Sequence, residues 1–206
     1  MNLIHQSWKF KDSYLYPIRA LKLLEKAGRI CYKTEDKITE TSYEDFLNKR
    51  IKTGHESLIE HVTITVKIIT DRGVSHELVR HRLGSFSQES TRYCNYNKMG
   101  IKFILPIDFE LDEDDLRLLT LIENHYNKCL NNGRTPQQAR YFLPNGLKTE
   151  IIVTFNLREW RHFFNLRCSK AAHPQMRALA LNMLEEFYHK FPVIFEDIYN
   201  KYKEDI

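Results

Sequence analysis

The sequence predicts a mixed α/β fold of the α+β kind: a mixed or antiparallel sheet flanked by helices, with long helices towards both ends. Three observations lead there. Between His61 and Ile69 apolar residues recur with period two, Val62, Ile64, Val66 and Ile68 on one face and His61, Thr63, Thr65 and Lys67 on the other. Long stretches on either side repeat apolar residues at three- and four-residue steps, the signature of helices buried along one stripe. The chain has 206 residues, 42% of them hydrophobic and 28% charged, enough for one buried core. A single domain over residues 1–206 is therefore expected.

In chain order, Ile18, Leu21, Leu24, Ala27 and Cys31 mark a first helix from Pro17 to Cys31. A second follows Thr41, where T-S-Y-E reads as a capping box and Tyr43, Phe46, Leu47 and Ile51 form the stripe, ending at Gly54. The period-two strand comes next, then a short helix from Val74 to Leu83 that stops near Gly84. Ile101 to Leu105 reads as a strand and Asp115 to Leu130 as a helix. Thr135-Pro136-Gln137-Gln138 supplies an N-cap, a proline at N1 and a glutamine at N3, so Arg140 falls in a short helix ended by Pro144-Asn145-Gly146. Thr149 to Asn156 alternates as a strand, a helix follows Asn156, and Gln175 to Phe191 closes the series.

Bulk properties remove several classes. No apolar run is long enough to span a membrane, and the N-terminal stretch has neither a secretory nor a transit pattern, so a cytoplasmic location without membrane contact is expected. The four cysteines, Cys31, Cys94, Cys129 and Cys168, include no CxxC pair and read as free thiols. His55 and His61 have no carboxylate or cysteine set at ligand spacing, so no metal is expected. A net charge of +4 suits acidic ligands such as nucleotides but is weak for a dedicated nucleic-acid binder.

The cations concentrate in Arg80-His81-Arg82 and in the stretch after Gly84, where Ser85, Ser87, Gln88, Ser90 and Thr91 are closed by Arg92 and Tyr93. On a helix, side chains 80, 81 and 82 point about 100° apart, which favours contacts to separate anionic groups. A hydroxyl-rich loop with exposed N–H groups and an arginine at each end suits phosphate; a solvated basic turn is the bland alternative. After Asn156, residues Trp160, Phe163, Phe164 and Arg167 share one helix face, and Arg158, His162 and Asn165 the other. Arg167 cannot shed its charge, so if buried it needs an accepting partner; otherwise it caps the helix dipole.

The order RHR-x7-S from Arg80 to Ser90, GHESLIEH from Gly54 to His61, A-R-x-x-L-P from Ala139 to Pro144 and NLREWRHFFNLR from Asn156 to Arg167 resembles the flavin-dependent thymidylate synthases. The resemblance runs from about residue 54 to 180 and implies that family's (ThyX-like) fold. It also implies reductive methylation of dUMP to dTMP, with methylenetetrahydrofolate as carbon donor and NADPH as hydride source through bound FAD. By position, Ser57, Arg80, His81, Arg82, Gln88, Asn156, Leu157, Arg158 and His162 would contact FAD. Glu77, Leu78, Val79, Arg80, Gln88, Glu89, Ser90, Thr91, Arg92, Arg140 and Arg167 would surround dUMP. Arg167 would be the catalytic cation, favouring negative charge on the uracil so that C5 attacks. Ser90 would then be a ligand contact, since no adjacent base is evident to activate it. At Glu77 the chain departs from the glutamine often found in the family, and a carboxylate there would repel phosphate unless turned away or paired. The family's homotetramer, with sites shared between subunits, is implied in the same way.

The absence of GxGxxG after a strand agrees with a dinucleotide held by separate segments. Two other readings stay open at this stage. Tyr93, Tyr96 and the basic stretch would suit a single-stranded nucleic-acid binder. A flavin-binding protein without methyl transfer would need the FAD residues but not Arg140, Ser90 and Arg167 together.

Overall fold

The computed structural model describes residues 1–11 and 16–206, the side chain of Met99 excepted. In chain order the elements are β1 (Asn2–Ile4), β2 (Ser7–Phe10), α1 (Pro17–Ile30), α2 (Tyr43–Lys52), β3 (Thr63–Asp71), α3 (Arg72–Leu78), β4 (Gly84–Gln88) and α4 (Tyr96–Met99). They continue with β5 (Lys102–Ile104), α5 (Glu113–Asn131), α6 (Pro136–Ala139), β6 (Lys148–Asn156), α7 (Leu157–Arg167), α8 (Pro174–Lys190) and α9 (Pro192–Tyr202). Strands β2, β3, β6 and β4 form one sheet in that order, and β1 pairs with β5 in a two-stranded parallel sheet, Leu3 opposite Phe103. The mixed α/β fold is therefore present. Two short strands and not a long helix occupy the N-terminal end.

The chain divides into two compact units. Unit one comprises Met1–Lys9, Lys67–Arg80 and Phe86–Ile152; unit two comprises Phe10–Val66, His81–Ser85 and Val153–Ile206. Unit one's core gathers Tyr96, Ile101, Phe103, Tyr126, Cys129, Ala139 and Leu147. In unit two an aromatic cluster runs from Trp160 through Phe164 and Phe187 to Phe195, with adjacent ring centroids 5.1 to 5.9 Å apart along that path. Trp160 also donates its indole N–H to the Ile64 carbonyl at 3.1 Å, so the largest core side chain leaves no polar atom unmatched.

Both long strands pass into helices without a loop. The last residue of β3, Asp71, accepts from the Val74 N–H at 2.7 Å and caps α3. The last residue of β6, Asn156, accepts from the Glu159 N–H at 2.8 Å and caps α7. A short polar side chain at each strand end satisfies an orphan helix donor and lets the backbone change from extended to helical at one residue.

Several expectations are corrected here. α3 starts two residues before Val74 and stops at Leu78, so Arg80, His81 and Arg82 lie beyond it and not on a helix. The expected loop after Gly84 begins as strand β4, with Ser85 and Ser87 exposed while Gly84, Phe86 and Gln88 are half-buried. Its period-two pattern is carried by one apolar residue, too little to stand out against the serines. A Cβ on Gly84 would lie 2.1 Å from the Phe155 ring, which explains glycine at the strand's start. His61 ends a 3-10 turn, Glu56–His61, instead of opening the strand. The N-cap of α2 is Ser42, and its hydroxyl donates to Glu25 at 2.7 Å, so the Thr41 capping box does not form. Arg140 caps α6 and leads into a 3-10 turn, Arg140–Phe142, before Pro144.

Candidate functional site

The residues singled out in the sequence fall into two clusters, one in each unit. In unit two, α7 presents its aromatic stripe inward, with Trp160, Phe163 and Phe164 fully buried, and its polar stripe outward. Arg158, His162 and Asn165 line a cavity of about 690 Å³ together with Glu56, Glu60, Leu83, Asn156, Glu159 and Arg161. Every carboxylate of that lining has a partner. Arg158 meets Glu60 at 2.6 Å, with the arginine about half exposed. Arg161 is buried and spends its guanidinium on Glu56 at 3.0 Å, on both oxygens of Asp197 at 2.7 Å, and on the Ile194 carbonyl. Burial pushes the Asp197 carboxyl up, but the Arg161 hydrogen bond, the Arg161 charge and backbone N–H groups together outweigh it and the pKa falls below its ordinary value.

His81 is 4% exposed and packs against the Phe163 ring at 5.2 Å and the Phe155 ring at 5.9 Å. Its Nδ1 lies 2.9 Å from Glu159 Oε1, and its Nε2 accepts from Arg167 Nε at 3.2 Å. Burial lowers the His81 pKa, against the raising effect of the Glu159 hydrogen bond. His81, Glu159 and His162 bring ligand atoms within 4.8 Å of one another, the spacing of a metal site. Both ring nitrogens of His81 are already committed, however, and Arg167 stands beside it, so a cation would have to displace the arginine. Cys168 is buried, and desolvation pushes its thiol up to about 12, which makes it inert as a nucleophile.

A flavin dinucleotide fits the donor set of this cavity. The half-exposed guanidinium of Arg158 can exchange Glu60 for a phosphate oxygen, and Asn156, His162 and Asn165 offer uncharged donors and acceptors beside it. Arg82 is exposed and Ser57 is exposed on the 3-10 turn, while Leu157 is fully buried and can reach a ligand only through its backbone.

Unit one holds the other residues. Ser75 donates its hydroxyl proton to the Arg72 carbonyl at 2.9 Å, so toward Gln88 its oxygen can only accept. The Gln88 atom at 2.9 Å from Ser75 must therefore be the amide nitrogen, which also reaches Thr149 at 3.1 Å. Gln88 is thus turned with its carbonyl away from both partners. Glu89 accepts from the Tyr96 hydroxyl at 2.7 Å and from Lys148 at 2.8 Å, using one oxygen for each. Ser90 turns the chain: its carbonyl accepts from the N–H groups of Tyr93 and Cys94, and its hydroxyl from Arg92 N–H. Thr91 is buried and accepts from the otherwise exposed Arg140 at 3.2 Å. The Arg92 guanidinium sits over Tyr93, 5.2 Å from its centroid. Glu77 is half-buried and its carbonyl accepts from Arg80 N–H at 3.1 Å; Val79 and Arg80 are exposed, and Leu78 is fully buried, so its side chain faces no ligand.

Sequence reasoning missed Glu159, Arg161, Ser75, Thr149 and Lys148. An acid in the first turn of a helix reads as a dipole complement, and hydroxyls on a strand read as pattern residues. The partner atoms that give them a role are remote in sequence, 78 residues away for Glu159 and 61 for Thr149.

A family profile described as thymidylate synthase complementing protein matches residues 16–193. A flavin-dependent thymidylate synthase from Geobacter sulfurreducens is 35% identical over 182 residues, covering 83% of this chain and 78% of the relative. One from Pyrococcus furiosus is 36% identical over 184 residues, covering 83% and 75%. Among solved structures, thymidylate synthase X from Helicobacter pylori with FAD and dUMP superposes with a TM-score of 0.79 at 21% identity, over 94% of this chain and 98% of that one. The UMP/dUMP methylase PolB from Streptomyces cacaoi gives 0.78 at 22% identity over 98% of each chain. These two likenesses establish the fold.

Proposed function

The chain belongs to the family of flavin-dependent thymidylate synthases, and we propose on that basis how its residues divide the work. It methylates dUMP reductively to dTMP, with methylenetetrahydrofolate as carbon donor and NADPH as reductant. Bound FAD supplies the hydride-transfer chemistry. In this reading Ser57, Arg82, Asn156, Arg158 and His162 hold FAD through side chains, Leu157 through its backbone, with Arg80 and Gln88 shared between flavin and nucleotide. Gln88 contributes a carbonyl acceptor, because its amide nitrogen is tied to Ser75 and Thr149.

The dUMP phosphate is given to the turn from Ser90 to Arg92, with Arg140, and Val79 and Arg80 beside it. Glu89 serves by anchoring that turn to Tyr96 and Lys148, and the Lys148 cation offsets its charge. Glu77 and Leu78 contribute main-chain contacts. Arg167 is the catalytic cation: a fixed guanidinium stabilises negative charge as it develops on the uracil ring. The observation that carries this reading is the bond between Arg167 and His81, 86 residues apart, which joins the middle of RHR to the end of α7.

The finer assignments belong to the same proposal: folate bound as co-substrate, a homotetramer with shared sites, one domain over 1–206, and no nucleic-acid partner. No helix among the described residues is long and apolar enough to cross a membrane. A cytoplasmic location is proposed with the rest. The test is direct. Purified protein should carry flavin absorbance and form dTMP from dUMP, methylenetetrahydrofolate and NADPH. Arg167→Ala should keep FAD while turnover falls by about 10²–10³-fold; near-normal turnover removes Arg167 from its role. A colourless protein that takes up no FAD and shifts DNA at moderate salt would sink the enzyme reading.

A further inference from the structure

The contact between Arg167 and His81 fixes more than a distance. A guanidinium N–H can only donate, so the His81 Nε2 that faces Arg167 at 3.2 Å must carry a lone pair. A neutral imidazole then keeps its proton on Nδ1, where Glu159 Oε1 accepts it at 2.9 Å. The tautomer follows from geometry alone, and burial, which disfavours the charged ring, acts in the same direction. Glu159 itself is 5% exposed and contributes one end of a buried line, carboxylate to imidazole to guanidinium. We infer that Glu159 is a positioning residue: its carboxylate holds His81 as the Nδ1–H tautomer, and His81 Nε2 in turn holds Arg167 in its working orientation.

The bland account of Glu159 is an acid complementing the N-terminal dipole of α7. That role needs neither burial nor an imidazole partner, and it predicts no change in how His81 titrates. The relay does. The titratable and charged groups facing His81 are Glu159, His162 and Arg167, all from α7. If His81 gains a second proton, an N–H confronts the Arg167 N–H and the contact breaks, so activity falls as pH drops through the His81 pKa. Glu159 raises that pKa, so removing its charge moves the acid limb to lower pH. An amide at 159 keeps the shape but donates as readily as it accepts, so the Nδ1–H tautomer loses one of its two supports and rests on Arg167 alone.

The inference rests on the role proposed for Arg167, and the experiment separates the two. FAD-loaded wild type, Glu159→Gln and Glu159→Asp are compared for flavin absorbance, for kcat and KM towards dUMP against pH, and for the ¹⁵N shifts of the His81 ring. Glu159→Gln should keep its flavin and lose about tenfold to a hundredfold in kcat, by analogy with metal-bound histidines that lose their orienting carboxylate. Its acid limb should move to lower pH, and Glu159→Asp should recover part of the loss. Wild-type kcat and an unmoved limb in Glu159→Gln would overturn the inference, as would a loss with an unmoved limb and no recovery by aspartate. If wild type forms no dTMP, the functional reading fails and the ring shifts decide the relay alone: an Nδ1–H preference that falls in Glu159→Gln upholds it, an Nε2–H ring in wild type refutes it. If Glu159→Gln does not fold, Glu159→Asp carries the same comparison against wild type.

Discussion

Arg167 and Arg140 both end a short line of polar side chains, but the two lines are built on different terms. Arg167 is half-buried against His81, which is shut in by Phe155 and Phe163 and backed by a buried carboxylate. Arg140 is exposed and tied by a hydrogen bond to the buried hydroxyl of Thr91. The first arrangement restricts a cation to one direction, at the cost of desolvating the groups behind it. The second leaves the guanidinium free to follow a phosphate and to be screened by salt. A developing charge on a ring needs the first; a permanent charge on a flexible ester is served by the second.

The largest way to break this contrast lies under α7. Trp160→Ala would empty a fully buried site and remove the indole bond to the Ile64 carbonyl; a loss of about 3–5 kcal/mol is expected in a denaturant melt. FAD uptake should fall with it, since the wall of the cavity rests on that helix. A stable variant with normal flavin content would show that the aromatic stripe does not set the site. Next in size is Gly84→Ala, whose methyl would meet Phe155 and should destabilise by about 1–3 kcal/mol in the same measurement. An unchanged midpoint would mean the strand shifts freely at that point.

The contrast sharpens in the other unit. Thr91→Val removes the hydroxyl that Arg140 meets and should raise the KM for dUMP by about twofold to tenfold, the worth of one hydrogen bond, with kcat nearly unchanged. A fall in kcat as large as that of Arg167→Ala would erase the distinction between the two arginines. The smallest effect is a pH dependence. Lys148 and then Lys67 hold the Glu150 carboxyl down to about 2, below its ordinary 4.5. A depressed folded-state pKa contributes stability that is present above about 4.5 and lost as pH falls towards 2. Glu150→Gln should therefore flatten that part of the melting-temperature profile by lowering the neutral-pH value modestly while leaving the value near pH 2 little changed. A parallel acid slope in the variant would exclude Glu150 as its source.

How much of this could be read in advance differs from element to element. β3 and β6 were legible because alternation over eight or nine residues outweighs chance, and α7 because three aromatics share its face. β4 was not, since its strand character comes from pairing beside β6 and only Phe86 marks it locally. The helical pattern overstates the length of α3 for a related reason: Val79 and Leu83 continue it, but the chain leaves the helix after Leu78. Among site residues, Arg167 and the RHR motif stood out by type and order. Glu159 did not.

The sequence by itself determined which chemistry the protein can draw on: the cations, the amides and hydroxyls of RHR-x7-S, and the stripe that buries α7. These follow from residue type and short-range periodicity, which act over a few bonds or a few turns. Tertiary structure decided which atom of each group is available. The tautomer of His81, the direction of the Gln88 amide and the engagement of Glu89 all depend on partners 7 to 78 residues away. Donor and acceptor roles are settled by contacts through space, and no local pattern encodes them.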